Sequence, residues 1–233
     1  MINAQTKIMD TQNSKTENQT LNSQQKSVVK IAALTAKGDL EKLRAALGEG
    51  LDAKLTVNQI KDVLVQMYAY AGFPRSLNGL NTFKTVLDER KAKGITDTEG
   101  KAATPIDDKG DKYERGRKNL EVLSGQPQSK PAKGFGEFSP QIDRFLKEHL
   151  FADIFDSDVL TYQERELATI SALAAMPGVE SQLESHISMG MNTGLTESQL
   201  KQIFDLVEQN ISREQASTAR KSLAKIIAAK QKK

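Results

Sequence analysis

The chain has 233 residues, 33 of them basic and 30 acidic, for a formal net charge of +3, and it contains no cysteine. Disulfides, thiolate zinc sites and thiol catalysis are therefore excluded, and the near balance of charge offers no concentrated basic face for nucleic acid. Two histidines, His149 and His186, are too few for a histidine metal cluster, and no apolar run approaches the roughly 20 residues of a membrane span.

Residues 1–22 are rich in Asn, Gln, Thr and Lys, show no apolar period, and read as a disordered N-terminal arm. As written they form no signal peptide, which fits a cytoplasmic protein; a trimmed secreted or periplasmic chain would look the same. From Ser23 the residues Val28, Ile31, Ala32 and Leu34 recur at helical spacing. Gly38 closes that helix, and Asp39 caps a second one striped by Leu40, Leu43, Leu47 and Leu51. Thr56 and Gln59 have the spacing of a capping box, ahead of the stripe Ile60, Val63, Met67 and Tyr70. Gly72-Phe73-Pro74 breaks the pattern, and Pro74 opens a helix carrying Leu77, Leu80, Phe83 and Leu87.

Residues 91–110 collect Gly, Asp, Lys and Thr and read as a linker. A short amphipathic helix is predicted over Tyr113 to Leu123, then a loop over 124–138. Ser139-Pro140 should open a helix through Leu150, with His149 complementing the dipole at its end. Thr161 and Glu164 form a second capping box, at the start of a helix bearing Glu166, Ile170 and Leu173 that ends at Pro177-Gly178. Val179, Leu183, Ile187 and Gly190 stripe the next helix. Thr196/Gln199 and Ser212/Gln215 are further boxes, the last opening a helix with Leu223, Ile226 and Ile227. No stretch reads as a strand, so the predicted class is all-α.

The pattern occurs twice. Leu34 pairs with Leu173 at an offset of 139, and Leu43 with Leu183 and Thr56 with Thr196 at an offset of 140, so one residue is inserted near Pro177. Two homologous helical units are expected, over 23–90 and 111–233, packed as a pseudo-dimer.

Four residues stand out. His186 lies at the edge of an apolar stripe, where a group titrating near neutral pH suits acid–base work; a core-edge histidine satisfied by a backbone carbonyl is the plainer alternative. Glu166 shares a face with Ile170 and Leu173, and burial would suit it to proton transfer; a glutamate answering the helix dipole is its alternative. Arg75 stands in a first helical turn, where a cation opposes the dipole and a bound anion would offset that cost; the alternative is a solvated arginine. Tyr70 is on an apolar stripe, and its phenol needs a partner if buried. Met67, Met176, Met189 and Met191 read as packing residues.

The stretch Tyr68-Ala-Tyr-Ala-Gly-Phe-Pro-Arg-Ser76 resembles the YAG-[FW]-P element of the carboxymuconolactone decarboxylase family. Asp111 to Gly116, Leu160 to Leu173, and His186 to Leu200 resemble that family's N-terminal segment and two of its helices. The resemblance implies an all-helical alkyl hydroperoxidase D-like fold assembled in a ring, here a homotrimer of six pseudo-equivalent units. The hydroperoxidases use a C-x-x-C pair, a Glu and a His. Glu166 and His186 match the last two, but the cysteine positions fall near Val179 and Gln182, so thiol peroxidase chemistry is ruled out. Copy one has Ser27 and Ala46 where copy two has Glu166 and His186; copy two has Asn210 to Gln215 where copy one has YAGFPR. The implied activity is a cofactor-free, metal-free lyase acting on a small anionic carboxylic acid or lactone. His186 and Glu166 would be catalytic, and Arg75 and Tyr70 substrate-binding. A scaffold or small-ligand binding protein that keeps the fold without the chemistry is the alternative.

Overall fold

A computed structural model describes residues 20–106 and 110–231. The arm expected over 1–22 lies outside the described residues as far as residue 19. Its last residues belong to the fold: Leu21 is a core residue whose N–H donates to Gln202 Oε1 at 3.0 Å, and Asn22 caps the first helix.

The first unit is four helices, α1 Ser23–Lys37, α2 Leu40–Asp52, α3 Val57–Ala71 and α4 Phe73–Ala92. Next come α5 Lys112–Ser124, α6 Phe135–Phe138 and α7 Pro140–Phe145, which passes directly into a π-helical segment, Leu146–Ile154. The second unit's four-helix core is α8 Tyr162–Ala174, α9 Glu180–Asn192, α10 Glu197–Asn210 and α11 Arg213–Lys230. The described residues contain no strand, and none of their helices is long and apolar enough to cross a membrane.

Local chemistry sets the helix starts. Reciprocal capping boxes join Thr56 to Gln59, Thr161 to Glu164 and Thr196 to Gln199. A fourth, Asn22 with Gln25, stands 139 residues before the Thr161 box. At α11 only half a box forms: Ser212 accepts from the Gln215 amide without the return bond. Gly38 ends α1 at φ 82°, a left-handed conformation that glycine adopts at no steric cost.

The duplication extends to packing. A Cβ on Gly50 would lie 3.1 Å from Ile31 Cδ1 and 3.3 Å from Leu55 Cδ1. One on Gly190 would lie 2.7 Å from Ile170 Cδ1 and 3.0 Å from Leu195 Cδ1, the same residues one repeat on. The opening helices of the two units, α1 and α8, pack on each other; α3 packs on α8 as α10 packs on α1. Each unit thus presents the same pair of helices to the other, as the subunits of an isologous dimer do. One hydrophobic core runs through both, from Leu21 and Val28 to Leu223. A smaller cluster of Leu123, Leu150, Phe151, Ile154, Phe155 and Met189 sits beside it, and Tyr70 packs against both.

The intervening segments depart from expectation. The helix opened by Pro140 does not stop at Leu150, and Ser139 makes no side-chain cap bond. His149 is inside the π-helical segment and pairs with Asp153 at 2.9 Å, so it does not serve a helix end. The predicted loop over 124–138 contains the short α6. Between α4 and α5 the chain straps the start of α3: Thr98 and Glu99 carbonyls accept the Val57 and Asn58 amides at 2.9 and 3.0 Å. Those amides have no partner within their own helix.

Candidate active site

Three helices from the two units converge on one polar cluster. α8 carries Glu166, α9 carries His186 and α3 of the other unit carries Tyr70. His186 Nδ1 and Glu166 Oε2 are 2.8 Å apart, with Glu166 fully buried and His186 6% exposed. Gly190, one turn beyond His186, lets α9 pack closely on α8: a Cβ there would lie 2.7 Å from Ile170 Cδ1, one turn along α8 from Glu166. The Tyr70 ring meets the imidazole edge-on, with centroids 5.3 Å apart.

Glu166 is the fifth residue of α8, past the first turn, so a bond to His186 replaces the helix-dipole role. His186 is likewise satisfied by a carboxylate, not a backbone carbonyl. With Nδ1–H donated to Glu166, Nε2 is a base when the ring is neutral and an acid when it is protonated. Two further oxygens, Glu166 Oε1 and Tyr70 Oη, are buried and bonded to no described residue. Buried polar atoms without a partner are uncommon and costly. Burial drives the Tyr70 phenol well above its ordinary pKa, and the Glu166 charge adds to the effect. Thr169 and Arg165 pull it back, although the Thr169 hydroxyl does not reach hydrogen-bond geometry with Tyr70 Oη. Tyr70 is therefore a neutral donor at physiological pH.

Beside the cluster lies a residue that sequence reasoning missed. Arg165 is fully buried. Its Nη1 donates to Gln66 Oε1 at 2.9 Å, and Nη2 donates to Asp62 Oδ2 at 2.6 Å and to the Ser157 carbonyl at 2.7 Å. Gln66 returns bonds to the Arg165 carbonyl at 3.0 Å and Thr169 Oγ1 at 2.8 Å. This network pins α3 to α8 and thereby sets Tyr70 against Glu166. Helical periodicity assigns an arginine to solvent, so the pattern carried no signal for it.

Arg75 is placed differently. It is half-buried in the first turn of α4, with Nε 3.8 Å from where a Gly38 Cβ would sit, at the C-terminal end of α1. The negative end of the α1 dipole offsets the cost of a cation at the start of α4. Among the described residues it makes no ion pair, and no bond to Tyr70, Glu166 or His186. Val179 and Gln182 occupy the start of α9, ahead of His186 on the same helix.

The equivalent place in the first unit is chemically plain. Ser27 Oγ donates to the Ser23 carbonyl of its own helix at 3.1 Å, and Asn210 Nδ2 does likewise to Leu206 at 2.7 Å. Ala46 is buried apolar surface. Of the two pseudo-equivalent places, one carries the equipment.

A duplicated helical unit with a buried Glu–His pair defines an alkyl hydroperoxidase D-like protein, here one without any cysteine. The chain belongs to the carboxymuconolactone decarboxylase family, whose profile matches residues 3–85 and 140–223. The two matched segments are the tandem copies. Asp111 to Gly116, which resembled the family's N-terminal segment, falls between them. No curated protein matches the chain.

Proposed function

We propose that the chain is a carboxymuconolactone decarboxylase-like lyase that acts on a small anionic carboxylic acid or lactone by His/Glu acid–base catalysis. The observation that supports it is the Glu166–His186 pair, 2.8 Å apart and buried against Tyr70 from the other copy. In this reading the substrate's carbonyl takes up the electron pair left as carbon dioxide departs. His186 Nε2 then protonates the carbanion, while Glu166 holds Nδ1 and steadies the imidazolium. No organic cofactor or metal is called for, because the carbonyl is itself the electron sink. Arg75, which has no ion-pair partner among the described residues, holds the substrate carboxylate in the site of its own chain or of a ring neighbour. The assembly is a homotrimer, since two units per chain halve the subunits that a six-unit ring needs.

A mass-spectrometric screen of small carboxylic acids and lactones tests this reading. Loss of parent mass and release of carbon dioxide with the wild-type chain, absent with Glu166→Gln, supports it. Ligands that bind and are never turned over would leave a binding protein in its place.

A further inference from the structure

Resting on that acid–base reading, the chemistry of the two unpartnered oxygens narrows what the site receives. Glu166 Oε1 is a carboxylate oxygen and only accepts; Tyr70 Oη is a neutral phenol that donates. A ligand carboxylate would set a second negative charge against Glu166. Arg165 beside it pairs with Asp62 through Nη2, and its Nε is a further buried unpartnered donor that a carboxylate could meet, but a carboxylate still has no hydrogen to give Oε1. A bare carbonyl oxygen can accept from Tyr70 but has nothing to give Oε1, and an ammonium leaves Tyr70 without an acceptor. A hydroxyl carries both a hydrogen for Oε1 and a lone pair for the Tyr70 O–H. A saturated alcohol does so too, but holds no carbon for His186 to protonate.

We propose that the reacting group is the hydroxyl of a small enol, the tautomer of a 2-oxo acid, and that the chain catalyses its 1,3-proton shift to carbon. The enol O–H bond breaks and its proton passes to Glu166 Oε1. The oxygen pair forms the C=O bond, and the C=C pair takes the proton from His186 Nε2. Tyr70 keeps its bond to the same oxygen throughout, and that bond strengthens as charge develops there. Nothing is oxidised or reduced. Water resets the pair, giving a proton to Nε2 and taking one from Oε1.

The test is hydrogen–deuterium exchange at C3 of 2-oxobutanoate in D2O, followed by proton NMR, since exchange requires this shift in both directions. The wild-type chain should exchange C3 faster than buffer. Tyr70→Phe should lower the enzymatic rate about 10²-fold or more, the usual cost of losing one donor to a developing oxyanion. Its Tm should be unchanged or higher, because an unpaired buried hydroxyl has been removed. Exchange at the buffer rate with wild type, or a wild-type rate with Tyr70→Phe, overturns the enol assignment. The parent reading fails separately: it falls if Glu166→Gln turns over the carboxylic acid screen as wild type does, whatever 2-oxobutanoate shows.

Discussion

Tyr70 meets His186 edge-on, with ring centroids 5.3 Å apart and planes at 81°, and this contact joins the two sequence copies at the only described place where either copy's candidate residues cluster. An edge-on ring holds the imidazole by packing without consuming Nε2. The geometry therefore leaves the acid–base atom available while fixing its orientation from both sides, with Glu166 on Nδ1 and Tyr70 against the ring.

His186 is more than a core-edge residue, so its removal has a structural cost. His186→Ala leaves the fully buried Glu166 carboxylate without its partner, which should destabilise the fold by about 3 kcal/mol. Adding Glu166→Gln removes the stranded charge, so the double variant should be more stable than His186→Ala alone. Urea denaturation of the four forms measures this. A single variant as stable as wild type would mean the pair is not coupled.

The Arg165 network predicts the largest loss of stability from one side chain. Arg165→Ala strands Asp62 and Gln66 and should cost about 3–5 kcal/mol. It should also loosen α3 from α8, exposing Tyr70 to solvent, visible as increased amide exchange at the C-terminal end of α3. Unchanged exchange there would show that the network does not position Tyr70.

Two glycines give opposite outcomes. A Cβ on Gly116 would lie 1.8 Å from the Lys147 carbonyl oxygen, backbone against backbone, where α5 crosses the π-helical segment. Gly116→Ala should therefore destabilise by at least about 1–3 kcal/mol. Gly48 lies inside α2 with nothing within 4 Å of an added Cβ, and Gly48→Ala should stabilise by about 0.5–1 kcal/mol. Thermal melts of both variants decide, and equal shifts would contradict the packing described.

The buried pair Asp143–Lys147, 2.9 Å apart, carries a pH signature. Burial pushes the Asp143 carboxyl up, but the Tyr113 hydroxyl, the Lys147 ammonium and the Ala132 amide outweigh it and hold it below its ordinary 3.8. A lowered carboxylate stabilises the fold fully above its unfolded value, and that contribution is lost as pH falls through the lower folded value. Denaturant midpoints should thus fall below about pH 4 in wild type, and less steeply in Asp143→Asn, which is weaker at pH 7. Parallel profiles would rule Asp143 out as the source.

The proposed ring predicts three chains per particle at micromolar concentration by light scattering, the closed symmetry usual for soluble homo-oligomers. A monomer at that concentration removes both the ring and any role for a neighbour's Arg75.

The sequence by itself determined the duplication, the helices of the two repeated units and most of their starts. These are local or repetitive properties: a capping box such as Thr196/Gln199 is complete within four residues, and an offset of 139 or 140 is visible without coordinates. Glu166 and His186 were legible as candidates from their places beside apolar stripes and from their resemblance to the family's Glu and His. Only the tertiary structure decided what those residues do. The bond from Arg165 to Gln66 spans 99 residues of chain, and whether a charge goes inward depends on the partner met there, which no periodicity encodes. The same dependence turned Arg75 toward the end of α1, brought Tyr70 to the imidazole, and left Glu166 Oε1 and Tyr70 Oη as the two buried atoms whose chemistry defines the site.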